Sequence, residues 1–64
     1  MAKMTLRAAR VNAGLSREKA AYKIGVSMST IKNWENGTSS PTVDKLPLIC
    51  NAYGVTYDDI LFFL

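Results

Sequence analysis

The sequence predicts a compact all-α domain of five helices and no strand, and three observations predict it. Apolar residues recur three and four positions apart, which places them on single helix faces. Glycines close the apolar clusters, at Gly14, Gly25, Gly37 and Gly54. Hydroxyl or carboxylate residues stand ahead of the next cluster, at Thr5, Ser16, Ser27, Asp44 and Thr56. Such side chains accept a hydrogen bond from a free N–H in the first turn. Together these signals predict one domain over residues 1–64, with an arm over 1–4 and helices over about 5–13, 17–24, 28–35, 44–53 and 57–62.

The elements follow in order. Residues 1–4 read as a loose arm carrying Lys3. Thr5 caps a first helix with Leu6 and Ala9 inward, Val11 on the neighbouring edge of that stripe, and Arg7 and Arg10 one turn apart. After the Gly14 stop, Leu15 tucks inward and Ser16 caps a second helix. Ala20, Ala21 and Ile24 form its stripe, and Tyr22 reads as partly buried. Gly25 ends that helix, because a left-handed residue costs a glycine little. Ser27 caps a third helix, whose stripe is Ile31 and Trp34. Neither helix is long enough to stand alone in water, so the two stripes must face each other. Ala21 sits at their crossing, where a small side chain permits close approach.

Asn36-Gly37 is a turn signal, and the polar loop from Thr38 to Pro41 follows it. A fourth helix presents Leu46, Ile49, Cys50 and Tyr53. Starting it at Asp44 or Lys45 keeps Pro47 in the first turn, where proline is tolerated. Thr56 caps a last short helix, with Asp58 and Asp59 suited to its dipole. The final Phe62-Phe63-Leu64 is too apolar for a free tail and reads as core or as partner interface.

Composition bounds the function. Cys50 is the single cysteine and there is no histidine, so neither an internal disulfide nor a zinc pattern is available. No metal or other cofactor is expected. Enzymatic chemistry is not expected either, for want of an acid–base or nucleophile set. Asp58 and Asp59 are adjacent and do not face each other on a helix. No run approaches the roughly 20 apolar residues of a membrane span. No long apolar stretch follows the early charge, so a reduced cytoplasmic setting is expected. The net charge of +3 is unevenly placed. Residues 1–32 carry seven basic side chains against Glu18 alone, net +6, and residues 33–64 carry net −3. The split suits one face to a polyanion, although uneven solvated charge reads the same way.

The exposed face of the third helix holds Met28, Ser29, Lys32 and Asn33. A thioether, two hydrogen-bonding groups and a cation on one surface make a candidate reader of base edges in a major groove. Lys32 and Asn33 could instead be plain surface. Trp34 reads as core from its spacing to Ile31, and Cys50 as a small buried hydrophobe.

The residues Leu6-Arg7…Arg10…Gly14-Leu15-Ser16, Ala20-Ala21…Ile24-Gly25-Val26-Ser27…Ile31…Trp34-Glu35-Asn36-Gly37…Pro41 and Tyr53-Gly54-Val55 carry a resemblance. They resemble the helix-turn-helix domain of lambdoid phage repressors, Cro proteins and the xenobiotic-response-element family. The resemblance runs from Leu6 to about Leu61. It implies a five-helix fold that binds double-stranded operator DNA as a two-fold homodimer, with the third helix in the major groove. Met28, Ser29, Lys32 and Asn33 match base-reading positions. Ser16, Arg17, Ser27, Thr30, Asn36, Thr38, Ser39 and Ser40 match positions near the phosphate backbone. Arg17 stands where relatives usually carry Gln. Arg10 and Glu35 match an internal ion pair.

The expected function is therefore a sequence-specific transcriptional regulator, a repressor of phage or prokaryotic type, with no small-molecule ligand and no membrane partner implied. For a dimer, the expected contact is the C-terminal segment with Val55, Tyr57, Phe62, Phe63 and Leu64. The competing expectation is a protein-interaction module, antitoxin-like or adaptor-like, that reuses the fold.

Overall fold

A computed structural model describes residues 3–61, Leu61 by its backbone alone. The order of elements is β1 (Met4–Thr5), α1 (Leu6–Asn12), α2 (Arg17–Ile24), α3 (Met28–Asn36), a 3-10 turn (Val43–Lys45), α4 (Leu46–Tyr53), a second 3-10 turn (Tyr57–Asp59) and β2 (Ile60–Leu61). The helical domain stands as expected, with four α-helices rather than five.

Local chemistry sets the helix starts. Thr5 accepts from the Ala8 N–H, Ser16 from Lys19 and Ser27 from Thr30, each at a residue in extended backbone. Each bond satisfies a donor that the first helical turn leaves unpaired. Between α2 and α3, Gly25 sits at φ 87° and ψ 34°. The N–H groups of Gly25 and Val26 converge on the Ala21 carbonyl at 2.8 and 3.0 Å, which closes α2 and reverses the chain within three residues.

One core joins every layer. Leu6 and Ala9 of α1, Ala20, Ala21 and Ile24 of α2, Ile31 and Trp34 of α3, Ile49 and Tyr53 of α4, and Ile60 of β2 are all buried. Ile31 and Ile49 are the largest side chains wholly removed from solvent. Ala20 and Ala21 put small side chains on the buried face of α2, in the same core cluster as Ile31.

Several expectations are corrected. The helix placed over 57–62 is a single 3-10 turn, Tyr57–Asp59, followed by extended chain. Asp59 accepts from the Thr56 N–H at 3.0 Å and so completes a capping box. Beyond it, Ile60 adopts φ −112° and ψ 135°. A helix this short is not self-sustaining, and the apolar run that follows gains more by pairing. Its partner is the last residue of the expected arm with the cap beside it: Met4 and Thr5 pair in parallel with Ile60 and Leu61, so the described residues do contain a strand pair, while Met1 and Ala2 lie outside them. Expectations for Phe62, Phe63 and Leu64 lie outside the described residues.

The remaining corrections concern faces and caps. Tyr22 is 89% exposed rather than partly buried, because Ala20, Ala21 and Ile24 define the inner face and Tyr22 projects from the other side. Val11 is likewise exposed. Asp44 does not cap α4; it lies inside the first 3-10 turn and accepts from the Thr42 hydroxyl. That turn runs directly into Leu46 and leaves Pro47 in the first turn of α4, where its missing N–H costs no bond.

Tyr53 gives the core a pH limit. Burial pushes its hydroxyl up to about 12, with a further contribution from the Glu35 carboxylate that Arg10 partly offsets. The folded state then holds the phenol proton more tightly than the unfolded chain. The associated stability is complete below pH 10 and is lost as pH rises from about 10 to about 12. Denaturant titrations across this window should show a loss of roughly 2 kcal/mol in unfolding free energy, on the scale of ~1.4 kcal/mol per pH unit. Tyr53→Phe should remove that part of the slope.

Candidate nucleic-acid interface

The candidate interface is built on α3. Its inner face is fixed by Ile31, 1% exposed, and Trp34, 9% exposed. Helical geometry then turns the other face to solvent, and Met28, Ser29, Lys32 and Asn33 are all exposed there. Met28 leaves half its surface open at the start of the helix. Among the described residues, the side chains of Ser29, Lys32 and Asn33 make no hydrogen bond to the rest of the domain. Their donors and acceptors are available to a partner.

The hydroxyls near this face divide into two sets. Ser27 and Thr30 bond each other, Oγ to Oγ1 at 2.9 Å, while Ser27 also accepts from the Thr30 N–H. Thr38 donates its hydroxyl to the Asn33 carbonyl at 3.2 Å. These three groups shape the ends of α3. Asn36, Ser39 and Ser40 are exposed, and their side chains make no hydrogen bond among the described residues. Gly37, at φ 79°, reverses the chain after α3, and Thr38 and Ser39 both return N–H groups to the Asn33 carbonyl. Buried Pro41 anchors the far end of the loop.

Ion pairing ties α3 to the two helices before it. Arg10 Nε donates to Glu35 Oε2 at 2.6 Å and Arg10 Nη2 to Oε1 at 3.4 Å. Arg10 Nη1 also donates to the Leu15 carbonyl at 2.9 Å, which fixes the α1–α2 loop. The carboxylate is shared: Arg17 Nε donates to Glu35 Oε1 at 3.4 Å. The Glu35 side chain is 2% exposed, that of Arg10 10% and that of Arg17 39%. The link between Arg17 and Glu35 was not foreseen. The signal for it is the topology itself, since a tight bihelical turn brings the start of α2 beside the end of α3.

The rest of the domain offers little else in the way of chemistry. Among the described residues, no group of three or more His, Cys, Asp or Glu side chains could hold a metal ion. Half-buried Cys50 has its thiol pushed up by burial and, second, by the Asp59 carboxylate, which disfavours the reactive thiolate. No described helix is long and apolar enough to cross a membrane. Of the residues expected at a dimer contact, Val55 is half-buried and Tyr57 is exposed.

The helix-turn-helix family model matches residues 6–60. This chain belongs to the helix-turn-helix family, of the xenobiotic-response-element type. The family is one of DNA-binding transcriptional regulators. The chain is also similar to the antitoxin PezA of Streptococcus pneumoniae serotype 4 (strain ATCC BAA-334 / TIGR4), with 34% identity over 47 residues. That match covers 73% of this chain and 30% of the antitoxin, so the chain spans about a third of that relative's length. No solved structure matches.

The Arg10–Glu35 pair generates a stability prediction. Removing Arg10 leaves the buried Glu35 carboxylate with only the longer contact from Arg17 among the described residues, at a cost approaching that of a broken buried pair, about 3–5 kcal/mol. Arg10→Ala should lower the unfolding free energy in urea by that order. Arg10→Met combined with Glu35→Met should cost far less, because an apolar pair of similar volume removes both charges together.

Proposed function

We propose that this domain represses transcription by binding a palindromic operator as a two-fold dimer, with α3 lying in the major groove. The observation that carries the reading is the two-sided character of α3: one face is locked in the core by Ile31 and Trp34, and the other presents Met28, Ser29, Lys32 and Asn33 unpartnered. Asn33 suits an adenine edge, Met28 a thymine methyl, and Lys32 a guanine edge or a phosphate. Arg17 and the loop from Asn36 to Ser40 flank this face and contact phosphates, setting register and much of the affinity. Ser16, Ser27 and Thr30 lie near the backbone chiefly to hold helix starts in place. The C-terminal segment from Val55 to Leu64 supplies the two-fold contact, which spaces the two α3 helices about 34 Å apart, one turn of DNA.

A second reading has one observation in its favour, the similarity to a protein named as an antitoxin. In that reading the domain is the DNA-binding or partner-binding part of a larger regulatory assembly. The exposed apolar residues Val43 and Leu48 would then face a protein.

Selection of bound duplexes from a random library at physiological salt separates the readings. The operator reading expects an enriched palindrome with half-sites about one turn apart. Asn33→Ala and Ser29→Ala should each relax preference at one position of that site, by ~1–3 kcal/mol, with unrelated positions unchanged. Enrichment of no sequence by a protein that stays monomeric would set the operator reading aside. Association itself is read by analytical ultracentrifugation, where Phe62→Ala with Phe63→Ala should shift the dimer toward monomer.

A further inference from the structure

The exposure gradient across Arg10, Glu35 and Arg17 assigns a task to a residue that never meets DNA. We propose that Glu35 is a positioning residue for Arg17, holding its guanidinium by the Nε edge so that the Nη groups face outward to clamp a phosphate. The proposal rests on the DNA-binding reading above and deepens it. Three observations support it. Glu35 sits at the bottom of the arrangement, 2% exposed, and is itself held by Arg10 through two hydrogen bonds. Its Oε1 is thereby fixed in direction and accepts from Arg17 Nε. Arg17 lies on top, with 39% of its side chain in solvent, and neither of its Nη groups has a hydrogen-bond partner among the described residues.

A planar guanidinium allows both contacts together. Its five N–H donors lie in one rigid plane, so one edge can bind a carboxylate while the outer edge binds a second anion. An ammonium offers no such division. A lysine at this position would turn its charge toward Glu35 or toward phosphate, without a fixed orientation. The carboxylate also removes rotamer freedom from Arg17 before DNA arrives, which lowers the ordering cost of binding. The opposite arrangement, in which Glu35 competes with phosphate and must release Arg17, makes the opposite prediction and so provides a clean test.

The experiment is a double-mutant cycle on duplex binding, read by fluorescence anisotropy at several salt concentrations. Arg17→Lys keeps the charge, so the salt slope should stay close to the parent's, while affinity should fall about tenfold on every duplex. The second background is Arg10→Met with Glu35→Met, which removes the carboxylate and the buried cation together. There the parent arginine should already bind about tenfold more weakly, and Arg17→Lys should add no further loss. NMR of the free protein gives a readout without DNA. The Arg17 Nε–H proton should exchange slowly with water and should become fast in the Met/Met background. On duplex addition to the parent, that proton should stay protected while the Nη signals move.

The proposal is overturned by unchanged affinity of Arg17→Lys, by tighter binding of the Met/Met protein, or by an equal lysine penalty in both backgrounds. A Met/Met protein that does not fold leaves the lysine variant and the Nε–H signal of the parent to decide. Loss of the protected Nε–H on duplex addition decides against positioning. A parent protein with no salt-dependent duplex binding removes the DNA reading itself, whatever the free-protein NMR shows.

Discussion

The Glu35 carboxylate is the constraint on which most of this small domain turns. A charge almost wholly out of water is tolerable only when paired and hydrogen-bonded. Arg10 supplies two bonds from α1 and Arg17 one from α2. Arg10 also reaches the Leu15 carbonyl, so the same cation fixes the loop between those helices. Three helices and a turn are thus referred to one carboxylate on the last residue but one of α3. Apolar packing drives collapse without direction, because burial rewards area rather than orientation. The charged cluster adds direction, since hydrogen bonds to a fixed carboxylate admit few alternatives.

The bihelical turn depends on side-chain size as much as on caps. Ala20 and Ala21 occupy the contact face of α2, and larger groups there would push α3 outward. Ile31 and Trp34 of α3 are buried in the same cluster as these alanines. The outer face of α3 follows as a geometric consequence. A nine-residue helix with two inward anchors has one azimuth available to it, and its remaining side chains must meet solvent.

Much of this was legible in the sequence because it is written in local chemistry. Thr5, Ser16 and Ser27 cap where hydroxyls precede apolar stripes, and Gly25 turns where a left-handed residue is needed. What escaped depends on residues far apart in the chain. The pairing of Met4 and Thr5 with Ile60 and Leu61 spans almost the whole sequence and has no local signature. The apolar end read as helix because its spacing is ambiguous over so few residues. Tyr22 misled for a related reason: an amphipathic aromatic fits either face, and only packing by Ala20, Ala21 and Ile24 decides. The exposed face of α3 was readable from periodicity. The grip of Glu35 on Arg17 was not, since an 18-residue separation carries no pattern until the turn is folded.

The polar residues around α3 divide by what they already bond. Ser27, Thr30 and Thr38 have hydroxyls committed to one another or to backbone, and their geometry maintains the helix ends. Ser29, Lys32, Asn33, Asn36, Ser39 and Ser40 keep their side-chain groups uncommitted among the described residues. A committed hydroxyl would have to break an internal bond to greet a ligand, and the two bonds nearly offset. An uncommitted one exchanges only water. The second set is therefore the part of the surface open to new hydrogen bonds, and the first set holds the helix ends that carry it. Arg17 belongs to both sets at once, with its Nε committed to Glu35 and its Nη groups uncommitted among the described residues.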